Sequence, residues 1–294
     1  MKELKKLAFL INRTKAESFP LANRLVELAE KAGCQTRVSE CFPAPDKFLA
    51  GMDACCVIGG DGTLLHIAPQ ATLYGVPIIG VNRGSLGFLT TFPADTAVEE
   101  FKKVLGGQFR LAKRQMLSAT LGGETHLALN DLVVKEKSNA HLIEMEVWVD
   151  DRYVAEYLAD GLIFSSPTGS TAYNLSAGGP IIEPSAEVFT MTPISPHTLS
   201  NRSIIFPMGR RVRVRGTRPD NEALLLCDGQ DIPLNGGALD LEIRMDRSTL
   251  EFIQGVDYDY FSVLRQKLGW MGRQKGRPEH SMSDAGDKKK GDGK

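Results

Sequence analysis

No stretch of this sequence approaches the about eighteen consecutive apolar residues that a membrane-spanning helix needs. Near the start, Lys2, Lys5 and Lys6 precede Leu7-Ala8-Phe9-Leu10-Ile11. That is the order of a secretory signal, yet the apolar run is too short for a signal core. It reads instead as a first buried strand of a cytoplasmic protein. Cysteine is scarce. Cys34, Cys41, Cys55, Cys56 and Cys227 are odd in number and contain no Cys-x-x-Cys pair, which speaks against a disulfide framework, a redox pair or a thiolate metal site. Adjacent in an apolar run, Cys55 and Cys56 fall on opposite faces of a strand as small core residues. No His/Cys/Asp spacing points to zinc. An excess of one charge is missing as well: 35 Lys and Arg stand against 36 Asp and Glu, a formal net charge of -1. Nothing global therefore draws the chain to nucleic acid, and an anionic ligand has to be held locally. What is present is ordinary for a globular protein, 42% hydrophobic and 24% charged over 294 residues, enough for two domains with cores of their own.

From Leu7 to Val81 apolar runs alternate with helical patterns. Leu7 to Ile11 is followed by a helix with Leu21, Leu25, Val26, Leu28 and Ala29 on one face and Gly33 as its stop, then by strands near Thr36 to Ser39, at Ala54 to Ile58 and at Val76 to Val81. This alternation predicts an α/β domain built on a parallel sheet. After a helix predicted over Thr96 to Leu105, Gly106-Gly107 marks a break. Beyond it period-two alternation prevails, as in Ile143 to Val149, Val212 to Arg215 and Leu239 to Arg244, with hairpin turns at Asp150-Asp151 and Asn235-Gly236-Gly237. That texture predicts an all-β, antiparallel second domain. The division expected is 1–107 for the α/β domain, 108–254 for the β-rich domain, 255–270 for a closing segment, and 271–294 for a disordered tail. The tail has seven basic and four acidic residues and almost nothing apolar, a composition that cannot fold alone.

Chemistry concentrates first in Gly59-Gly60-Asp61-Gly62-Thr63, directly after the strand Ala54 to Ile58. Glycines let backbone N–H groups approach a phosphate, and a helix beginning near Leu64 adds its positive end. Ligands of parallel sheets lie at such carboxyl ends of strands. Asp61 is the unexpected member. A carboxylate beside phosphate oxygens is unfavourable unless it holds a metal ion or takes a proton from an attacking hydroxyl. The motif by itself also fits a plain turn. A second run, Asp160 to Pro180, is a long stretch of small, polar and glycine residues around Tyr173, far more than a structural turn requires.

These two segments, with Ala128-Leu129-Asn130-Asp131, Pro193 to Arg202 and Cys227-Asp228-Gly229-Gln230, resemble the NAD kinases in order and wording over roughly Leu7 to Trp270. The resemblance implies the two-domain fold just described, with the dinucleotide between the domains, a closing segment that packs back on the first domain, and a homodimer or homotetramer. It implies transfer of the terminal phosphate of ATP or polyphosphate to the 2′-hydroxyl of the adenosine ribose of NAD, giving NADP. It further implies Asp61 as base and Mg²⁺ brought with the donor, and backbone contacts to phosphate from Gly59, Gly60, Gly62 and Thr63. NAD contacts implied are Asp61, Gly62, His66, Asn130, Asp131, His141, Asp160, Thr171, Ala172, Tyr173, Asn174, Leu175, Ser176 and Gln230. Some of these residues have a second reading. Asn130 and Asp131 equally suit a turn pair, Gln230 a turn residue, and Tyr173 a core aromatic. Ser166 stands where relatives commonly have Thr, a change of little consequence; Leu158 stands where some bacterial relatives carry a basic residue, so the choice between NAD and NADH stays open.

Two other functions share parts of this pattern. A lipid or sugar kinase accounts for the Gly-Gly-Asp-Gly loop but not for Asp160 to Pro180, and no exposed apolar helix suited to a membrane surface is evident. A non-catalytic dinucleotide sensor has no use for Asp61, since phosphate binding alone gains nothing from a carboxylate there.

Overall fold

The structure, a computed structural model, describes residues 4–12, 18–82, 87–137, 141–198, 201–217, 223–234 and 239–270. The predicted tail 271–294 and the predicted turn at Asn235-Gly236-Gly237 lie outside them. Contacts divide the chain into a unit ending at Tyr258 and a second beginning at Asp259.

In the first unit, the apolar runs become β1 (Lys6–Ile11), β2 (Gln35–Ser39), β3 (Ala54–Gly59) and β4 (Ile78–Asn82), parallel and ordered β2-β1-β3-β4. β3 and β4 are buried at every position, as expected of parallel strands covered on both faces. Helix α1 (Ser18–Lys31) ends before Gly33 at φ 84°, a left-handed conformation that favours glycine. With α3 (Ala97–Leu105) it shares a core of Leu7, Phe9, Ile11, Leu25, Cys56, Ile58 and Phe101. On the opposite sheet face α2 (Asp61–Tyr74) supplies Leu64, Ile67 and Ala68 to a core with Ala8, Leu10, Cys55 and Val57. Cys55 and Cys56 thus divide between the two faces, and burial drives both thiols well above their usual value. Short β5 (Phe92–Pro93) lies beside β4.

The remaining strands are mostly antiparallel. They are β6 (Arg110–Leu121), β7 (Glu124–Ala128), β8 (Asp131–Glu136), β9 (Ile143–Val149), β10 (Arg152–Ala159), β11 (Gly161–Ser165), β12 (Val188–Ile194), β13 (Ile204–Pro207), β14 (Arg211–Gly216), β15 (Ala223–Cys227), β16 (Gln230–Ile232) and β17 (Asp240–Gln254). One six-stranded sheet runs β13-β12-β11-β8-β15-β16. A second group, β10-β9-β14-β17 with β6 and β7, continues into the parallel sheet, because Phe252 of β17 pairs with Ile78 of β4. A register shift between Met245 and Thr249 opposite β6 lets β17 serve both parts. Leu117, Val134, Met145, Val147, Phe164, Phe189, Val214 and Ile243 form the core of the β-rich part. The chain is therefore an α/β fold with a parallel sheet, followed by an antiparallel β fold, as its alternation predicts. The sheet hydrogen bonds cross the expected break at Gly106-Gly107.

In the second unit, α5 (Tyr260–Lys267) is capped by Asp259, whose carboxylate accepts from Phe261 N at 3.0 Å and Ser262 N at 3.1 Å. No helix among the described residues is long and apolar enough to cross a membrane.

Candidate active site

β3 delivers Gly59 to the carboxyl edge of the parallel sheet, Gly60 turns the chain in an extended conformation, and α2 begins at Asp61. The glycines have different duties. A Cβ on Gly59 would stand 2.7 Å from Thr63 Oγ1, whereas Gly60 and Gly62 face space with nothing within 4 Å. The first N–H groups of a helix have no partner inside it and carry the positive end of its dipole. Gly60 to Gly62 therefore offers an anion an open approach. Thr63 is buried beneath the turn, where its Oγ1 accepts from Asn12 Nδ2 at 2.9 Å. It holds the end of β1 against the turn, and its side chain supports the cradle from below.

Asp61 is held by a segment that the sequence alone did not bring forward. Its Oδ1 accepts from Thr90 N at 3.2 Å and Thr90 Oγ1 at 3.1 Å, and its Oδ2 from Phe88 N at 3.2 Å. His66 is exposed on α2, edge-on to Phe42 at 4.4 Å between ring centroids, and partial desolvation lowers its imidazole below the usual value.

Asn130 and Asp131 stand where β7 gives way to β8. Their backbone is clamped by Asp228, whose carboxylate accepts from Leu129 N at 2.7 Å, Asn130 N at 2.7 Å and Asp131 N at 3.1 Å. Asp228 N donates in return to Asp131 O at 3.0 Å. Burial pushes the Asp131 carboxyl up to about 7, with the Asp228 charge adding to it. Burial also raises Asp228 to about 6 against the opposing pull of its three N–H donors. The side-chain oxygens Asn130 Oδ1 and Thr168 Oγ1 are buried and have no hydrogen-bond partner among the described residues. Buried polar atoms are satisfied in most folded proteins, so these two oxygens retain hydrogen-bonding capacity that the described residues do not use.

The run Asp160 to Pro180 reaches this locality by strand register. β11 pairs Ser165 with Asp131, Ser166 N donates to Asn130 O at 2.9 Å, and Ser166 Oγ donates to Leu129 O. Gly169 then lies so close that a Cβ would fall 2.0 Å from Asn130 O. The chain continues through a 3₁₀ turn at Thr168–Thr171 and a short helix at Tyr173–Ser176. Thr171, Ala172 and Leu175 are half-buried, while Tyr173, Ser176 and Asp160 are exposed. Asn174 differs from its neighbours. It is fully buried, donates to Ser170 O and Pro180 O, and accepts from Thr190 and Thr192 Oγ1 at 3.2 and 2.7 Å. All four of its hydrogen-bonding positions are used internally, so its side chain organises the segment from within. Gln230 is half-buried at the start of β16, paired with Cys227, and His141 is exposed beside residues outside the described set.

One core links the two localities. Leu64, three residues after Asp61, packs in the same buried cluster as Leu89 and Leu129, and α2 lies against β7. The turn holding Asp61 and the strand break at Asn130-Asp131 are thus neighbours. Asn12, Gly87, Phe88 and Thr90 are supporting residues that sequence reasoning missed, and Asp228, present in the segment Cys227-Asp228-Gly229-Gln230, was given no role there.

An α/β sheet with a glycine-flanked carboxylate at its carboxyl edge, continuous with a β-rich part, is an arrangement suited to a nucleotide-binding phosphotransferase. Residues 35–109 match the ATP-NAD kinase N-terminal domain and residues 129–254 the ATP-NAD kinase C-terminal domain. An NAD kinase of Syntrophotalea carbinolica is 43% identical over 74% of this chain and 79% of its own length. One of Symbiobacterium thermophilum is 37% identical over 90% of this chain and 98% of its own. The solved structure of an NAD kinase from Archaeoglobus fulgidus in complex with ATP superposes with a TM-score of 0.73 at 26% identity, covering 90% of this chain and all of that one. Yeast NADH kinase complexed with NADH has the same fold, with a TM-score of 0.80 at 22% identity over 94% and 90% of the two chains. The chain belongs to the NAD kinase family.

Proposed function

We propose that this chain phosphorylates the adenosine ribose 2′-hydroxyl of NAD with the terminal phosphate of ATP or polyphosphate, giving NADP. The observation that carries the reading is the Asp61 carboxylate, fixed by three N–H and O–H donors beside the open Gly60–Gly62 turn. With donors on both oxygens it presents lone pairs to an incoming group. The ribose oxygen attacks the terminal phosphorus. A new O–P bond forms as the bond to the β,γ-bridging oxygen breaks, ADP leaves with that electron pair, and the hydroxyl proton passes to Asp61. Gly59, Gly60, Gly62 and the first turn of α2 hold the phosphates through backbone N–H groups.

NAD would engage Asn130, Asp131 and the orphan Thr168 hydroxyl on one side. Asp160, Thr171, Ala172, Tyr173, Leu175, Ser176 and Gln230 line its adenosine and ribose, and His66 and His141 lie at the margins. Among the described residues no three His, Cys, Asp or Glu side chains cluster to hold a metal ion. These residues do not fit a protein-held Mg²⁺; in this proposal it arrives on the donor's phosphate oxygens. The rest of the reading is a cytoplasmic homodimer or homotetramer with domains dividing near residue 107.

Purified protein incubated with NAD, Mg²⁺ and either ATP or polyphosphate should yield NADP detectable with an NADP-specific dehydrogenase. No product with either donor would overturn the proposal.

A further inference from the structure

We infer that Thr90, working with Gly87, is a positioning residue for the phosphoryl-transfer step, setting which Asp61 oxygen receives the proton. The inference rests on Asp61 being the base.

The three donors to Asp61 are unequally shared. Among the described residues, Oδ1 accepts from both the backbone N–H and the hydroxyl of Thr90, at 3.2 and 3.1 Å, while Oδ2 accepts only from Phe88 N at 3.2 Å. A carboxylate oxygen offers about two lone-pair sites. Oδ1 is therefore saturated and serves as the anchor, and Oδ2 keeps one site for an incoming O–H. The Thr90 hydroxyl makes the difference, since without it both oxygens would carry one bond and the carboxylate could rotate between equivalent poses.

The turn is fitted to this task at two further points. A Cβ on Gly87 would fall 2.3 Å from Asp61 Oδ1 and from Thr90 Oγ1. A Cβ on Gly80 of β4 would meet Leu89 O at 2.9 Å and Thr90 Cα at 3.0 Å. Glycine at both places lets the turn lie between the strand and the carboxylate, and it leaves Thr90 fully buried with its hydroxyl aimed at Asp61. A threonine wanted only for packing would not need its hydroxyl on a charged group. Hydrogen bonds to charged groups are the strong ones, and a misplaced base costs rate rather than substrate affinity.

Thr90→Val keeps the shape and removes only the O–H. With the full chain, kcat for NADP formation should fall about tenfold or more, with KM for NAD and for ATP within about twofold and thermal unfolding close to that of the parent. Thr90→Ser, which retains the hydroxyl, should recover most of the lost kcat. In the Asp61→Asn background, Thr90→Val should add no further loss, because it acts through that carboxylate. Gly87→Ala is an independent disturbance of the same oxygen and should also lower kcat. Unchanged kcat in Thr90→Val or Gly87→Ala, or a Thr90→Ser as impaired as Thr90→Val, would overturn the inference while an inactive Asp61→Asn left the base intact. An Asp61→Asn with parental turnover would instead remove the base itself.

Discussion

The Asp228 carboxylate meets the Asn130 backbone N–H at 2.7 Å across 98 residues of sequence. The same group takes the N–H groups of Leu129 and Asp131, so one side chain closes a strand break that would otherwise leave three donors inside the protein without partners. Asp228→Ala should cost about 2–4 kcal/mol of stability, the scale for stranding buried backbone donors. It should also raise KM for NAD more than KM for ATP, because the Asn130-Asp131 pair loses its orientation. Urea unfolding and steady-state kinetics on the one variant check both statements. Equal stability and equal KM values would mean that the clamp does nothing.

The clamp brings two carboxyl groups together out of water, and pH reports on them. Asp131 is pushed from 3.8 up to about 7 by burial and by Asp228. Between about pH 4 and pH 7 the folded protein therefore holds a proton that the unfolded chain has already released. Its stabilising contribution is complete below pH 4, declines as pH rises through that window, and is gone above it. Asp228, raised to about 6, acts with the same sign over a narrower range. Asp131→Asn cannot titrate there, so its urea midpoint should change less between pH 4.5 and pH 8 than that of the parent. Parallel pH profiles for the two proteins would show that Asp131 titrates normally.

Local features of the fold were readable from sequence because their causes are local. The opposite facing of Cys55 and Cys56 follows from the period of a strand, and the Gly59 to Thr63 turn follows from a buried run meeting glycine. The break at Gly106-Gly107 gave the change of texture, but it did not give the continuation of one sheet through β17, since pairing Phe252 with Ile78 joins residues far apart in the chain. The same limit hid Thr90 and the clamping role of Asp228, whose side chains act on residues 29 and 98 positions earlier. The Asp160 to Pro180 run folds as more than a turn, into β11, a 3₁₀ turn and a short helix. Its glycines have a mixed origin: Gly169 and Gly179 are demanded by Asn130 O and by the Asn174 amide, 2.0 and 2.1 Å from where a Cβ would stand.

Within that run two adjacent residues sit in opposite surroundings. Asn174 is 0% exposed and fully hydrogen-bonded, whereas Tyr173 is 42% exposed. Asn174→Ala takes the acceptor from the Thr190 hydroxyl, leaves the Thr192 hydroxyl with Ser203 Oγ alone, and removes the amide donor from the carbonyls of Ser170 and Pro180. It should lose about 2–4 kcal/mol of stability, visible as a lower urea midpoint. Tyr173→Ala removes a ring that is already 42% exposed and makes none of these buried hydrogen bonds, so it should lower the midpoint less than Asn174→Ala does. If that ring faces the adenine of NAD, the same variant should raise KM for NAD about tenfold, the scale of an aromatic stacking contact together with its buried area, and spare KM for ATP. Reversed phenotypes, with Tyr173→Ala unstable and Asn174→Ala defective only in NAD affinity, would place the ligand on the other face of this short helix.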